Sequence, residues 1–509
     1  MKGASPRPPM LSLLVTHVAA ALSPSSPPVA ADFLITSLPG LATPPTFKHY
    51  SGFMPLGDAD GTHLFFWFVE SQSSPADDPI VYWTNGGPGS SSVAYGFWTE
   101  HGPWRLAENG TKVVPYEYSW NKRANVVYVE QPSGVGLSWS ANEAHYATND
   151  EQAAGDNLLF LKAFFNVFPE FKTNGLYLTG ESYGGHYVPQ LSHKVLLDPA
   201  FSKDVNMKGF WIGNPGINSD WYYNVNEYAF LTFMWGHALL PQVAYTKASN
   251  ACGWGTFLDI SSCGVDFTKP SLACVAATHE AWKYLPSTWD PYDVLAPTCH
   301  DAESDSTAGD AFVAMTTPHM AALRAFHNRG AGSSAPIAYD PCIKNQTPLY
   351  MKRADVLAAL HAATHPNPKW PGDRPGWKYG DEKEDVALLF PDFFANASEW
   401  KIAVVSGTAD AAVPFVGTQR WLECLGRPVK TDWKDWFLNS DVAGAIKQFD
   451  RIDFVTVKGC GHTIPTYCPE AGFAILDNWL NDTWPATSKG QVWNSSRAGG
   501  ARRRRGREL

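Results

Sequence analysis

The chain has 509 residues, of which 44% are hydrophobic and 17% charged, with a formal net charge of -10. This composition can fill a core and excludes a disordered chain; its acidic balance disfavours nucleic acid as a partner. No run of about 18 apolar residues occurs, so no membrane span is expected.

Residues 1–31 read as a signal peptide: Lys2 and Arg7 precede the apolar run Leu11 to Leu22, and small residues lead to Val29-Ala30-Ala31 before Asp32. Strands are expected at Phe65 to Val69, Ile80 to Thr84 and Asn125 to Val129, then a helix from Asp150 to Phe165. A strand from Leu176 to Thr179 runs into Gly180, a helix follows from Val188 to Leu197, and the strand Phe210 to Ile212 ends at Gly213-Asn214-Pro215. This alternation predicts an α/β fold for residues 32–214, with a mostly parallel sheet and helices on both faces.

The alternation lapses over residues 215–339. That stretch is aromatic-rich, holds Cys252, Cys263, Cys274 and Cys299, and reads as a helical cap insertion, with exposed loops at His300 to Thr307 and Asn328 to Ser334. The core resumes over residues 340–484, with a helix from Met351 to Ala362, strands at Lys401 to Ser406 and Phe454 to Val457, and a helix from Pro469 to Leu480. Residues 485–509, with the Arg502 to Arg505 run, read as a disordered basic tail.

Export is expected on two further grounds. Asn109, Asn345, Asn396, Asn481 and Asn494 each begin a glycosylation sequon, and the eight cysteines lack Cys-x-x-Cys spacing and so read as disulfide formers in an oxidising compartment, extracellular or vacuolar.

Gly180-Glu181-Ser182-Tyr183-Gly184 lies between a strand and a helix. That context puts Ser182 on a sharp turn at the C-terminal edge of the sheet, with small residues at both flanks for close passage of the chain. A serine needs a base to take its proton. This architecture supplies an acid and then a histidine later in the chain: Asp410 follows one strand and His462 another, both in glycine-flanked loops. His186, four residues after Ser182, reads as a brace for the turn. His361 and His365 have the spacing of a metal pair but lack a third ligand, and read as surface residues.

These residues resemble the serine carboxypeptidase family, which includes carboxypeptidase Y, the wheat enzyme and cathepsin A. The resemblance is carried by Asn85-Gly86-Gly87-Pro88-Gly89-Ser90-Ser91-Ser92, by Glu181 to Tyr187, by Ser406 to Asp410, and by Gly461-His462 with Ile464-Pro465. Tyr50 to Phe53, Gln131 to Trp139 and Tyr339 to Cys342 support it, and it spans about Leu38 to Leu480. It implies an α/β-hydrolase fold and a cofactor-free acyl-enzyme mechanism with Ser182, Asp410 and His462 as triad. It implies an oxyanion hole from the N–H groups of Gly87 and Tyr183. Asn85, Gly86, Glu100 and Glu181 would bind the C-terminal carboxylate of a peptide. Two close, buried glutamates hold a proton between them, so activity is expected to be best at acidic pH. Related acyltransferases tend to carry Asp where this chain has Glu181, which favours the peptidase.

The resemblance also implies bridges Cys252–Cys263 and Cys274–Cys299. Ser90 stands where the family usually has the cysteine that pairs with Cys342, so Cys342 is left without its usual partner, and Cys342, Cys424, Cys460 and Cys468 allow three pairings. Oligomeric state and side-chain preference are not set by these motifs.

Overall fold

A computed structural model describes residues 27–217, 222–256, 263, 270–285, 289–299, 340–364, 377–380 and 385–483. The expected leader up to residue 26, the loops 300–307 and 328–334, His365, Asn494 and the basic tail lie outside the described residues.

Among the described residues the main sheet has eleven strands. Ten run across it in the order His49–Pro55, Thr62–Val69, Asn125–Val129, Ile80–Thr84, Gly175–Glu181, Asn206–Gly213, Lys401–Gly407, Ile452–Val457, Asp441–Phe449 and Val429–Leu438. The six from Asn125–Val129 to Ile452–Val457 are parallel to one another. Both margins are antiparallel. The fold is therefore α/β, as expected.

The central strands are apolar throughout because both faces are covered. Their side chains alternate between two cores. Val81, Trp83, Tyr128, Trp211, Val405 and Val455 pack on one face with Phe473, Leu476 and Trp479 of the last helix, Pro469–Leu480. Ile80, Tyr82, Val127, Leu178, Phe210 and Val404 pack on the other with Phe160 and Phe164 of helix Asp150–Val167 and Val188 of helix Gly184–Leu197. Truncating a fully buried ring such as Phe164 would cost about 3–5 kcal/mol.

Two elements depart from expectation. The helix expected from Met351 to Ala362 is two short helices, Gln346–Met351 and Ala354–Ala359. Arg353 turns extended between them (ψ 133°), and its guanidinium binds Asp355 and the Gly110 carbonyl. The hairpin Val429–Leu438/Asp441–Phe449 was not foreseen. Its turn, Asn439-Ser440, has φ of 51° and 71°, a conformation usually announced by glycine.

Helices Tyr222–Gly236, Gln242–Cys252 and Leu272–Trp282 form a third apolar cluster over the C-terminal edge of the sheet. Phe230, Phe233, Trp254 and Ala281 pack there with Ala411 of the core. All four cap cysteines are bridged, but not in the expected pairs. Cys252 joins Cys274, Cys263 joins Cys424, and Cys299 joins Cys342. The reason is helix packing: Cys252 ends one helix and Cys274 begins another that lies against it. Cys342, expected to lack its usual partner because Ser90 stands in that partner's place, is bridged to Cys299.

Candidate active site

The parallel strands end in register: Thr84 lies beside Gly180, Glu181 beside Gly213, Gly213 beside Val405, and Gly407 beside Val457. The loops that follow carry Asn85, Ser182, Asn214, Asp410 and His462 to one edge, where open α/β sheets place their sites.

Ser182 has φ of 59°, a left-handed conformation uncommon for a residue with a β-carbon, as a strand-to-helix elbow demands. Its N–H donates to the Gly213 carbonyl at 2.9 Å, and its carbonyl accepts from Gly185 and Gly216. A β-carbon at Gly180 would stand 2.6 Å from the Thr84 oxygen, and one at Gly185 2.2 Å from the Gly216 oxygen. At Gly184 it would meet only an ordinary 3.5 Å contact. Crowding after the serine thus falls on Gly185, one residue beyond the expected position.

Asp410 is fully buried and accepts from His462 Nδ1 at 2.8 Å through Oδ2, while its Oδ1 takes the N–H groups of Ala412 and Val413 at 2.8 and 3.2 Å. A carboxylate only accepts, so the proton sits on Nδ1 and Nε2 keeps a free lone pair. The His462 N–H donates to the Tyr292 carbonyl at 2.6 Å. The surrounding segment also binds the aspartate loop: Ala411 donates to Pro291, and Val294 to Ala409. One stretch of the cap therefore ties the Asp410 and His462 loops together. Asp293 in that stretch is buried, and burial pushes its carboxyl up to about 7.

Asn85 is saturated. Its Oδ1 accepts from Trp83 Nε1 at 2.7 Å and Gly96 N–H at 3.1 Å, and its Nδ2 donates to Glu100 at 2.7 Å and Glu181 at 2.8 Å. The indole is donor-only, which fixes the amide's orientation. Glu100 comes from a π-helical turn, Val93–His101, whose wide winding turns it into the interior. Burial raises the pKa of both glutamates, and Glu100 adds further to the rise at Glu181. The Asn85 amide bridges the two carboxyls, and their closeness and burial favour a protonated state for the pair.

Gly86 packs against the elbow so tightly that a β-carbon there would lie 2.3 Å from the Tyr183 nitrogen and 2.9 Å from the Ser182 β-carbon. Gly87 has φ of 115°. The loop is held from below by Glu130, which accepts from Ser91 Oγ at 2.8 Å and Ser92 N–H at 3.1 Å and which burial pushes up to about 8. His186 stacks on Tyr183 with ring centres 4.5 Å apart and lies 3.4 Å from Asp150, as a brace would. His361 bonds the Ser51 carbonyl at 3.0 Å.

Sequence reasoning missed Glu130, Asn214 and the 290–296 strap. Of these only Asn214 carried a signal, a strand-end residue beside glycine and proline.

A family model described as serine carboxypeptidase matches residues 39–482. Among curated relatives, serine carboxypeptidase-like 33 of Arabidopsis thaliana is 33% identical over 457 residues, covering 88% of this chain and 90% of that one. Serine carboxypeptidase 24 of the same plant is 32% identical, with coverage of 88% and 91%. Among solved structures, Kex1(delta)p, a prohormone-processing carboxypeptidase from Saccharomyces cerevisiae, superposes with a TM-score of 0.67 at 22% identity, covering 89% of this chain and 97% of that one.

Proposed function

The chain belongs to the serine carboxypeptidase family, and from that membership we propose that it releases C-terminal amino acids from peptides through Ser182, His462 and Asp410, best at acidic pH. One observation carries the reading. The residue just before Ser182 is a buried glutamate, tied through Asn85 to a second buried glutamate, on the sheet edge where His462 bonds Asp410, and burial and its neighbour both raise its pKa.

Such a pair suits a free chain end. A protonated Glu181 donates to the substrate carboxylate, as does the Gly86 N–H, while Asn85 Nδ2 must exchange one of its two glutamate bonds to join them. An ionised pair would repel it. With the terminus held, the last peptide carbonyl lies at the elbow. His462 Nε2 takes the Ser182 proton as the serine oxygen attacks. The N–H groups of Gly87 and Tyr183 receive the oxyanion, the latter at the start of helix Gly184–Leu197. Asp410 holds the imidazole tautomer and its charge. His462 returns the proton to the leaving amine. Water, deprotonated by the same imidazole, then cleaves the ester and frees the shortened peptide. This chemistry requires no metal or organic cofactor.

Three disulfides support a secretory route, ending outside the cell or in a vacuole. Asn109, Asn396 and Asn481 are exposed and suit glycan attachment, whereas Asn345 is half-buried with its Nδ2 3.4 Å from Cys299 Sγ. Residues 215–339 act as the cap over a core made by 32–214 and 340–484.

The test is release of the terminal residue from a blocked dipeptide library at pH 5. Release by the wild-type chain, lost in Ser182→Ala together with organophosphate labelling, is expected. Acyl transfer from an activated ester without peptide cleavage would replace this reading with an acyltransferase.

A further inference from the structure

Three disulfides use six of the eight cysteines; Cys460 and Cys468 stand as thiols. Their placement is not that of two unrelated residues. Cys460 follows the last central strand and precedes His462 by two positions. Its carbonyl accepts from the Ala409 N–H at 2.8 Å, next to Asp410. Its Sγ lies 3.7 Å from the Ile464 carbonyl. Cys468 caps the last helix, and its N–H donates to that same carbonyl at 2.8 Å. The short helix Ile464–Tyr467 links the two residues and folds back so that Cys460 Sγ and the Cys468 N–H meet at one carbonyl.

We infer that Cys460 and Cys468 close a fourth disulfide, which clamps the His462 loop to the N-terminus of the helix Pro469–Leu480. The compartment that formed the other three bridges oxidises this pair too. The chemistry is thiol–disulfide exchange with a disulfide donor such as glutathione disulfide. The Cys468 thiolate attacks one donor sulfur and expels a glutathione thiolate. The Cys460 thiolate attacks Cys468 Sγ and expels the second. Both protein thiols lose a proton and are oxidised, and the donor is reduced to two thiols. Cys460 is fully buried and Cys468 half-buried in the folded chain. Burial holds the Cys460 thiol protonated, so the exchange belongs to folding, before Cys460 is enclosed. The bond closes a small ring around residues 461–467 and restricts the turn that aims His462.

The test is a thiol count on the full chain, secreted from an oxidising host and alkylated with iodoacetamide in guanidinium without reductant. No alkylated cysteine is expected, and the tryptic peptide following Lys458, which contains both residues, should be lighter than its reduced form by two hydrogen atoms. Two alkylated thiols at Cys460 and Cys468 would overturn the inference. Cys468→Ser should expose one alkylatable thiol, at Cys460. None in that variant would mean Cys460 pairs elsewhere, which also overturns it. The count does not involve catalysis, so its failure and the failure of the carboxypeptidase reading are separate results.

Discussion

Asn214 Nδ2 donates to the backbone carbonyl of His462, across 248 positions of sequence. The same amide also reaches the Gly461 carbonyl at 3.2 Å, and its Oδ1 accepts from the Gly407 N–H at 2.8 Å. The neighbouring Gly213 carbonyl receives the Ser182 N–H. Two adjacent residues at one strand end thus hold the serine elbow and the histidine loop in a common frame. Asn214 has φ of 40°, which asparagine tolerates better than most side chains.

Asn214→Ala should therefore damage position before identity. It leaves the Gly407 N–H and the 461–462 carbonyls without their buried partner, a cost of about 1–3 kcal/mol in stability. Loosening His462 by a fraction of an ångström should lower kcat by about tenfold to a hundredfold, with KM for a blocked dipeptide nearly unchanged. Steady-state kinetics and thermal melts check both. A normal kcat with a lowered melting temperature would make Asn214 purely structural.

Asp410→Asn keeps the shape of the site and alters one hydrogen bond. Its carbonyl oxygen can still take the Ala412 and Val413 N–H groups, which turns the new NH2 toward His462 Nδ1. The imidazole must then accept at Nδ1 and carry its proton on Nε2, where the serine needs a lone pair. A fall in kcat of about four orders of magnitude is expected, with the fold retained by circular dichroism. Activity within tenfold of wild type would remove Asp410 from the triad.

Glu181→Gln tests the acid pair. The amide still donates to a carboxylate but cannot ionise. In the wild type, Glu100 is held up to about 7 by burial, and Glu181 is raised further by burial and by Glu100. Below that range the pair keeps its proton and binds the chain end; above it the charge repels the substrate. KM should rise from pH 5 to 8 in the wild type and change much less in the variant. Parallel KM profiles for the two proteins would disprove the shared-proton account.

The central sheet was legible because its strands are short apolar runs closed by glycine or asparagine. Ile80–Thr84 and Asn125–Val129 have the expected bounds. The His49–Pro55 strand was not, because polar His49 and Ser51 and Gly52 interrupt its apolar run although it is buried, and the Val429–Leu438 hairpin was not, because its strands are partly or mostly exposed and their alternation is faint. At the site, Ser182, Asp410 and His462 could be singled out because each sits in a local motif. Asn214 and Glu130 could not, because their work is done on residues distant in sequence. The cystine pairing failed for a similar reason: which sulfurs meet is decided by how the cap helices pack, and spacing holds no record of that.

Stability should fall as the pH rises from about 4 to 8. Burial pushes Glu130 up to about 8, and Asp293 and Glu227 up to about 7, from ordinary values near 4 in the unfolded chain. Between these limits the folded protein holds protons that the unfolded chain has released. The slope of unfolding free energy against pH is then negative, near 1.4 kcal/mol per pH unit for each such proton. The contribution is fully present below the unfolded pKa and lost as pH climbs through the folded one. Over the whole window the loss is on the order of a few kcal/mol per group. Guanidinium midpoints at pH 5, 6.5 and 8 should decline in order. Glu130→Gln, whose oxygen can accept from the Ser92 N–H while its NH2 donates to Ser91 Oγ, cannot ionise and should make the decline shallower by about one proton's worth. Midpoints that rise with pH, or an unchanged slope in that variant, would mean that Glu130 is charged in the folded chain and that its hydrogen bonds from Ser91 and Ser92 outweigh its burial.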